Sequence, residues 1–127
     1  MAKQSQELVQ IHWEGDSRDV LAGFPEEIRA DLGFALFEIQ QGKKPPLPTR
    51  RMESIGIGVY ELKESDEKTW YRVIYLSKIG DVIYVLHCFE KDSRRTDRRD
   101  LRVAKDRLSR VRQRIEEQKK HAKRLGK

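Results

Sequence analysis

At 127 residues the chain has the length of one ordinary domain, enough to bury a single core and short for a two-domain enzyme built around a large cofactor. Charged residues (38%) slightly outnumber apolar ones (37%), but the apolar residues fall in periodic segments, which argues for a folded domain rather than disorder. The longest apolar stretch, Val82 to Phe89, is far below the roughly 20 residues of a membrane span; Met1 to Glu7 carry no apolar core for secretion, and the lone Cys88 has no internal disulfide partner, so a cytoplasmic protein without a membrane segment is expected.

Leu8, Val9, Ile11 and Trp13 form a short β-prone run, after which Asp16 or Ser17 can cap a brief helix holding Val20 and Leu21. Pro25 sits where a first helical turn tolerates proline, and Glu26 and Glu27 favour the positive end of a helix. Ile28, Leu32, Leu36 and Ile39 then recur at helical spacing up to a terminating Gly42. Pro45, Pro46 and Pro48 make residues 43–49 an extended connector. Arg51 to Ile55 reads as a short strand, and Gly56 and Gly58 permit a bend. Strands over Val59 to Lys63, Thr69 to Ser77 and Val82 to Lys91 follow, the last two joined by a Gly80-Asp81 turn of the type II′ kind. Thr96 or Asp97 can cap a final helix whose Leu101, Ala104, Leu108, Val111 and Ile115 form an apolar stripe. The stripe weakens beyond about Gln118, so residues 118–127 read as a fraying basic tail of one domain spanning 1–127.

The net charge of +6 hides a polarised chain: residues 1–90 carry 11 Lys/Arg against 15 Asp/Glu, net −4, and residues 91–127 carry 16 against 6, net +10. Such a basic end implies an anionic partner, nucleic acid more readily than membrane, because it also holds many acids and few bulky aromatics. Strand pairing adds to this. If Ile79 faces Val82 across the Gly80-Asp81 turn, Arg72 faces Phe89 and Trp70 faces Lys91; if Lys63 faces Lys68 across a Glu64 to Glu67 loop, Val59 faces Arg72. Alternation then gathers Lys63, Arg72, His87 and Lys91 on one face with Glu61 and Trp70. Tyr60, Leu62, Tyr71, Val73, Tyr75, Tyr84 and Leu86 take the other face, apolar enough to receive helices. Exposed sheet lysines and arginines more often keep a protein soluble than bind a ligand, and Lys63 has a bland alternative in an ion pair with Glu61. Arg72 is different, because a central strand beside Tyr71, Val73 and Ile74 would bury a guanidinium that needs a partner.

Three segments, Gly58-Val59-Tyr60-Glu61-Leu62, Tyr71-Arg72-Val73-Ile74-Tyr75 and Leu86-His87-Cys88-Phe89-Glu90-Lys91, stand in an order and at intervals that resemble the phage-derived HigB-like branch of the RelE/ParE toxin superfamily, over roughly residues 8–110. The resemblance implies an α+β, RelE-like fold, with an N-terminal strand and helical hairpin packed on a small, mainly antiparallel sheet and a C-terminal helix. It also implies the toxin of a type II toxin-antitoxin system, a ribosome-dependent mRNA endoribonuclease (mRNA interferase) that inhibits translation. The implied partners are the ribosome with its mRNA and a cognate antitoxin with a helix-turn-helix domain, bound to the toxin as an oligomer. Two residues depart from the family pattern: Asp92 stands where a basic residue commonly follows, and Lys63 replaces an arginine, keeping the charge but losing bidentate phosphate geometry. A related branch inhibits DNA gyrase, so a noncatalytic gyrase inhibitor and a degenerate phage protein that only binds nucleic acid are the alternatives.

Cleavage through the ribose 2′-hydroxyl needs that oxygen deprotonated, the phosphoryl charge neutralised and the leaving 5′-oxygen protonated. Neither a metal-ligand cluster nor a cofactor motif is evident, and a metal-independent, cofactor-free reaction is expected. Lys63 and Lys91 are the candidates for proton transfer and Arg72 for charge stabilisation, while Arg94, Arg95, Arg98 and Arg99 are candidate RNA-backbone ligands. His87 titrates in the right range for an acid or base but sits mid-strand between Leu86 and Cys88, where a hydrogen-bonded structural histidine is the commoner outcome.

Overall fold

A half-apolar sheet with helices on both sides in sequence has two faces to cover, and this chain covers one with a helical hairpin and the other with its last helix. The computed structural model describes residues 8–79, 81–92 and 97–126. In chain order the elements are β1 (Gln10–Trp13), α1 (Ser17–Ala22), α2 (Glu26–Gln40), β2 (Thr49–Arg51), β3 (Val59–Ser65), β4 (Trp70–Ile79), β5 (Val82–Lys91) and α3 (Arg98–Gly126). The sheet order is β1-β5-β4-β3-β2, with β1 parallel to β5 and the other neighbours antiparallel. This is the α+β, RelE-like architecture that the resemblance implies. No helix among the described residues is long and apolar enough to cross a membrane.

The hairpin forms as its residue pattern dictates. Pro25 stands just before α2, Glu26 and Glu27 occupy the first turn, and Gly42 follows the helix at φ 78°, a left-handed conformation glycine adopts without strain. Leu21, Phe24, Ile28, Leu32 and Leu36 bury against Leu62, Val73, Tyr75, Ile83 and Val85. On the opposite sheet face Val59, Ile74, Leu76, Tyr84, Leu86 and Phe89 receive Ala104, Leu108 and Val111 of α3, with Leu101 and Ile115 partly buried at the margin. The α3 stripe read from the sequence is therefore the seam that holds the last helix down.

Register departs from the sequence reading in two places. The β3/β4 hairpin turns at Asp66 to Thr69, not at Glu64 to Glu67, so Lys63 faces Arg72 and Val59 faces Leu76. Asp66 explains the shift, because its carboxylate accepts the backbone N–H groups of Lys68 and Thr69 and the Tyr71 hydroxyl, closing a tight turn. Those bonds hold the Asp66 carboxyl below its usual range. In the β4/β5 ladder, Trp70 faces Lys91 and Arg72 faces Phe89 as expected, but Ile74 pairs with His87 while Tyr75 pairs with Val85. Leu86 is the extra residue of a bulge, and beyond it the face of β5 inverts. Tyr84 and Leu86 consequently lie under α3 and not with Tyr60 and Leu62 under the hairpin. The short strand expected over Arg51 to Ile55 is instead Thr49–Arg51, pairing with Tyr60 to Leu62. The Gly80 half of the expected type II′ turn lies outside the described residues.

Arginines fasten the last helix as well. Arg107 donates to the Leu86 carbonyl at 2.9 Å, beside the bulge, and pairs with Asp16 at 2.9 Å. Arg114 pairs with Glu14 at 2.7 Å. Gly15, at φ 55°, makes room for this clamp: a Cβ there would sit 2.4 Å from the Arg107 guanidinium carbon.

Candidate functional site

The register places three cations on three neighbouring strands at one end of the α3 side of the sheet. Lys63 on β3 is the direct cross-strand partner of Arg72 on β4, and Trp70, two residues before Arg72, is the partner of Lys91 on β5. The Trp70 ring lies between them, with Lys63 Nζ 5.4 Å and Arg72 Cζ 5.9 Å from its centroid, in the range of cation–π attraction. Lys63 and Trp70 are partly exposed.

Arg72 is wholly buried and so is Glu61, the carboxylate that receives it at 3.0 Å. Arg50 of β2 reaches the same Glu61 oxygen at 3.2 Å. The guanidinium thus has the partner that its central position demanded, and the bland pairing of Glu61 with Lys63 does not form. Lys63 makes no ion pair among the described residues. Arg50, Arg72 and Lys63 against Glu61 leave this part of the face formally at +2.

Lys91 is ion-paired with Asp97, the residue just before α3. Asp97 also accepts the Asp100 backbone N–H at 3.2 Å and so caps the helix, the role that the sequence assigns to Thr96 or Asp97. The Lys91 hydrogen bond, and next the helix N–H, hold the Asp97 carboxyl down at about 2. His87 is buried, its Nε2 lies 2.8 Å from Asp100 Oδ1, and its ring stacks on Phe89 with centroids 4.8 Å apart. The His87 Nδ1 has no hydrogen-bond partner among the described residues. These contacts tie β5 to the first turn of α3, as expected of a structural histidine. Cys88 is buried on the hairpin side with its thiol pushed up by burial.

Of the expected RNA-backbone ligands, Arg98 and Arg99 are exposed on the first turn of α3, and Arg94 and Arg95 lie outside the described residues. The structure therefore brings Lys63, Arg72, Lys91 and His87 to one face but gives three of them carboxylate partners. Arg50, Asp97 and Asp100 are the members that sequence reasoning missed. The Asp97-x-x-Asp100 spacing at a helix start was the available signal, since it places both carboxylates over the first turn.

Residues 19–109 match the model of the family described as Phage derived protein Gp49-like (DUF891). The chain belongs to this family. No curated protein and no solved structure matches it. Membership in the Gp49-like family bears out the phage-derived part of the resemblance, and the matched segment contains every described residue of the candidate face, from Arg50 through Lys63, Arg72, His87 and Lys91 to Asp100. It stops seventeen residues short of the end of α3 at Gly126, so the distal part of that helix lies beyond the Gp49-like match.

Proposed function

We propose that this Gp49-like protein is the toxin of a type II toxin-antitoxin pair and that it cleaves mRNA on the ribosome. The observation that carries the proposal is the cross-strand cluster of Lys63, Arg72 and Lys91 around Trp70, at the end of the sheet where the exposed arginines of α3 begin. In the reaction, the ribose 2′-oxygen attacks the adjacent phosphorus as the bond from phosphorus to the 5′-oxygen breaks. A base takes the 2′ proton and an acid supplies one to the leaving 5′-oxygen, giving a 2′,3′-cyclic phosphate and a 5′-hydroxyl. Lys63 and Lys91 are the proton-transfer candidates, and Lys63 is the freer of the two, because no carboxylate among the described residues pairs with it. Lys91 reaches a substrate only when the phosphate displaces Asp97, an exchange of one anion for another. Arg72, buried beneath Trp70, stabilises phosphoryl charge from below while Glu61 fixes its position.

The test is purified wild type and Lys63→Ala added to translating ribosomes carrying end-labelled mRNA. Cleavage with cyclic-phosphate ends in the wild type, lost in a Lys63→Ala protein of unchanged thermal stability, is the expected result. Equal cleavage by both would remove Lys63 from the chemistry. A noncatalytic gyrase inhibitor is the second reading, favoured by Asp92 and by the carboxylates already seated on Arg72 and Lys91. Intact mRNA together with inhibited supercoiling by gyrase would select it.

A further inference from the structure

Two flanks of the last helix use their cations differently, with Arg99, Arg110, Lys120 and Arg124 exposed besides. On one flank Arg107 and Arg114 are consumed by Asp16, Glu14 and backbone carbonyls of the body. On the other, Arg98, Arg102, Lys105, Arg112, Lys119 and Lys123 follow one another at steps of three, four or seven residues, which aligns them along one side of an α-helix. Successive members seven apart lie about 10.5 Å apart along the axis. None of the six has an ion-pair partner among the described residues; Arg112 alone is tethered, donating to the Ile57 carbonyl at 2.9 Å. Two acids interrupt the row: Asp106, which lines a shallow pocket with Arg98, Arg102 and Lys105, and Glu116.

The row outlasts the body. Burial on α3 ends at Ile115, and every residue from Glu116 to Gly126 is exposed, a projection of roughly 16 Å. The helix positions that would continue the 3-4 apolar seam are Gln118, Ala122 and Leu125, of which Leu125 is the one large apolar side chain, so the projecting part has no continuous apolar face to insert into a protein groove. Its chemistry is that of spaced positive charge on a rigid rod. The row also begins at Arg98, next to the Asp97 that holds Lys91, so it leads directly away from the candidate site.

We propose that this flank of α3, including the part beyond the Gp49-like match, is a second RNA-binding surface that lies along the phosphate backbone of a folded RNA helix and reads its charge and shape rather than its sequence. The proposal rests on the RNA-directed reading of the chain but not on cleavage. Double-helical RNA is the fitting partner because its backbones present regularly spaced phosphates to a straight rod. Lys119 and Lys123 belong to this surface only.

The full-length protein is titrated, over a range of salt concentrations, into a labelled RNA duplex of about 16 base pairs, long enough to present two successive minor grooves. Lys119→Glu/Lys123→Glu is compared with Lys43→Glu/Lys44→Glu, which changes net charge equally at exposed positions of the connector after α2. All of these positions are exposed, and helical circular dichroism verifies that each variant is folded. The wild type is expected to bind with a steep salt slope, and Lys119→Glu/Lys123→Glu to lose about two units of that slope, one for each phosphate contact removed. The connector variant is expected to keep the wild-type slope. Equal losses in both variants, or no salt-dependent binding by the wild type, would overturn the proposal. Displacement of the duplex by polyglutamate at equal charge would overturn it in favour of an acidic protein partner. A chain that binds duplex through this row yet leaves transcripts intact would refute the cleavage reading and uphold this one.

Discussion

At the scale of single residues, the buried Arg72 changes how the site is to be tested. Arg72 and Glu61 are both without solvent exposure, and removing Arg72 takes the buried partner from a buried carboxylate that Arg50, itself half exposed, also reaches. Arg72→Ala is therefore expected to destabilise the fold, by up to about 3–5 kcal/mol, measured by denaturant unfolding, so lost toxicity in that variant would not by itself locate chemistry on Arg72. Lys63, partly exposed over Trp70, is the informative substitution. The sequence made the need for an Arg72 partner legible, because a guanidinium on a central strand cannot remain unpaired. It did not reveal that Arg50 would reach the same carboxylate, since that contact depends on where β2 begins. A second expectation concerns Asp97. Its carboxyl is held near 2, below its ordinary value of 3.8, so its ion pair and helix cap contribute stability at all pH values above the ordinary range and lose it as pH falls towards 2. Carboxyl titration by NMR should place Asp97 near pH 2 in the wild type and return it towards the ordinary range in Lys91→Met; an unmoved midpoint would show that Lys91 is not the cause.

Among the elements, α3 and the bulge in β5 set the site together. The bulge at Leu86 lets both Leu86 and His87 face α3, the first packing on its apolar seam and the second bonding Asp100. Strict alternation could not foresee this: one extra residue inverts everything on one side of it, which is why Tyr84 was assigned to the wrong face while Trp70, Arg72 and Lys91, on the other side of the bulge, were assigned correctly. The β3/β4 register was misjudged by four residues, an even number, so Lys63 still landed on the right face for the wrong pairing. Helix seams were more legible, because Leu101, Ala104, Leu108, Val111 and Ile115 carry their period in the sequence itself. The clamp between α3 and the β1–α1 loop offers a direct check. Gly15→Ala places a side chain where φ is 55° and where Arg107 lies, so it is expected to cost about 1–2 kcal/mol from the backbone alone. Thermal unfolding would measure this, and a stability equal to wild type would show that neither the left-handed backbone at Gly15 nor the close approach of Arg107 constrains this loop.

Taken as a whole, the molecule is an acidic-to-neutral body carrying a basic helix, and that polarity was plain in the sequence: net −4 over residues 1–90 against net +10 over residues 91–127. What the sequence could not show is that α3 divides its arginines between holding the body and facing solvent, because the choice depends on Glu14 and Asp16, about a hundred residues away. The fold positions the two proposed functions in series, with the Lys63–Arg72–Lys91 cluster at the sheet end and the cationic flank of α3 leading outward from it. The proposal of ribosome-dependent mRNA cleavage places its chemistry at the first of these. Its most direct test is expression of wild type and Lys63→Ala at equal levels without an antitoxin, followed by mapping of transcript 5′-ends. Cuts confined to translated reading frames in the wild type and absent in Lys63→Ala are the expected result; growth arrest with intact transcripts would contradict it.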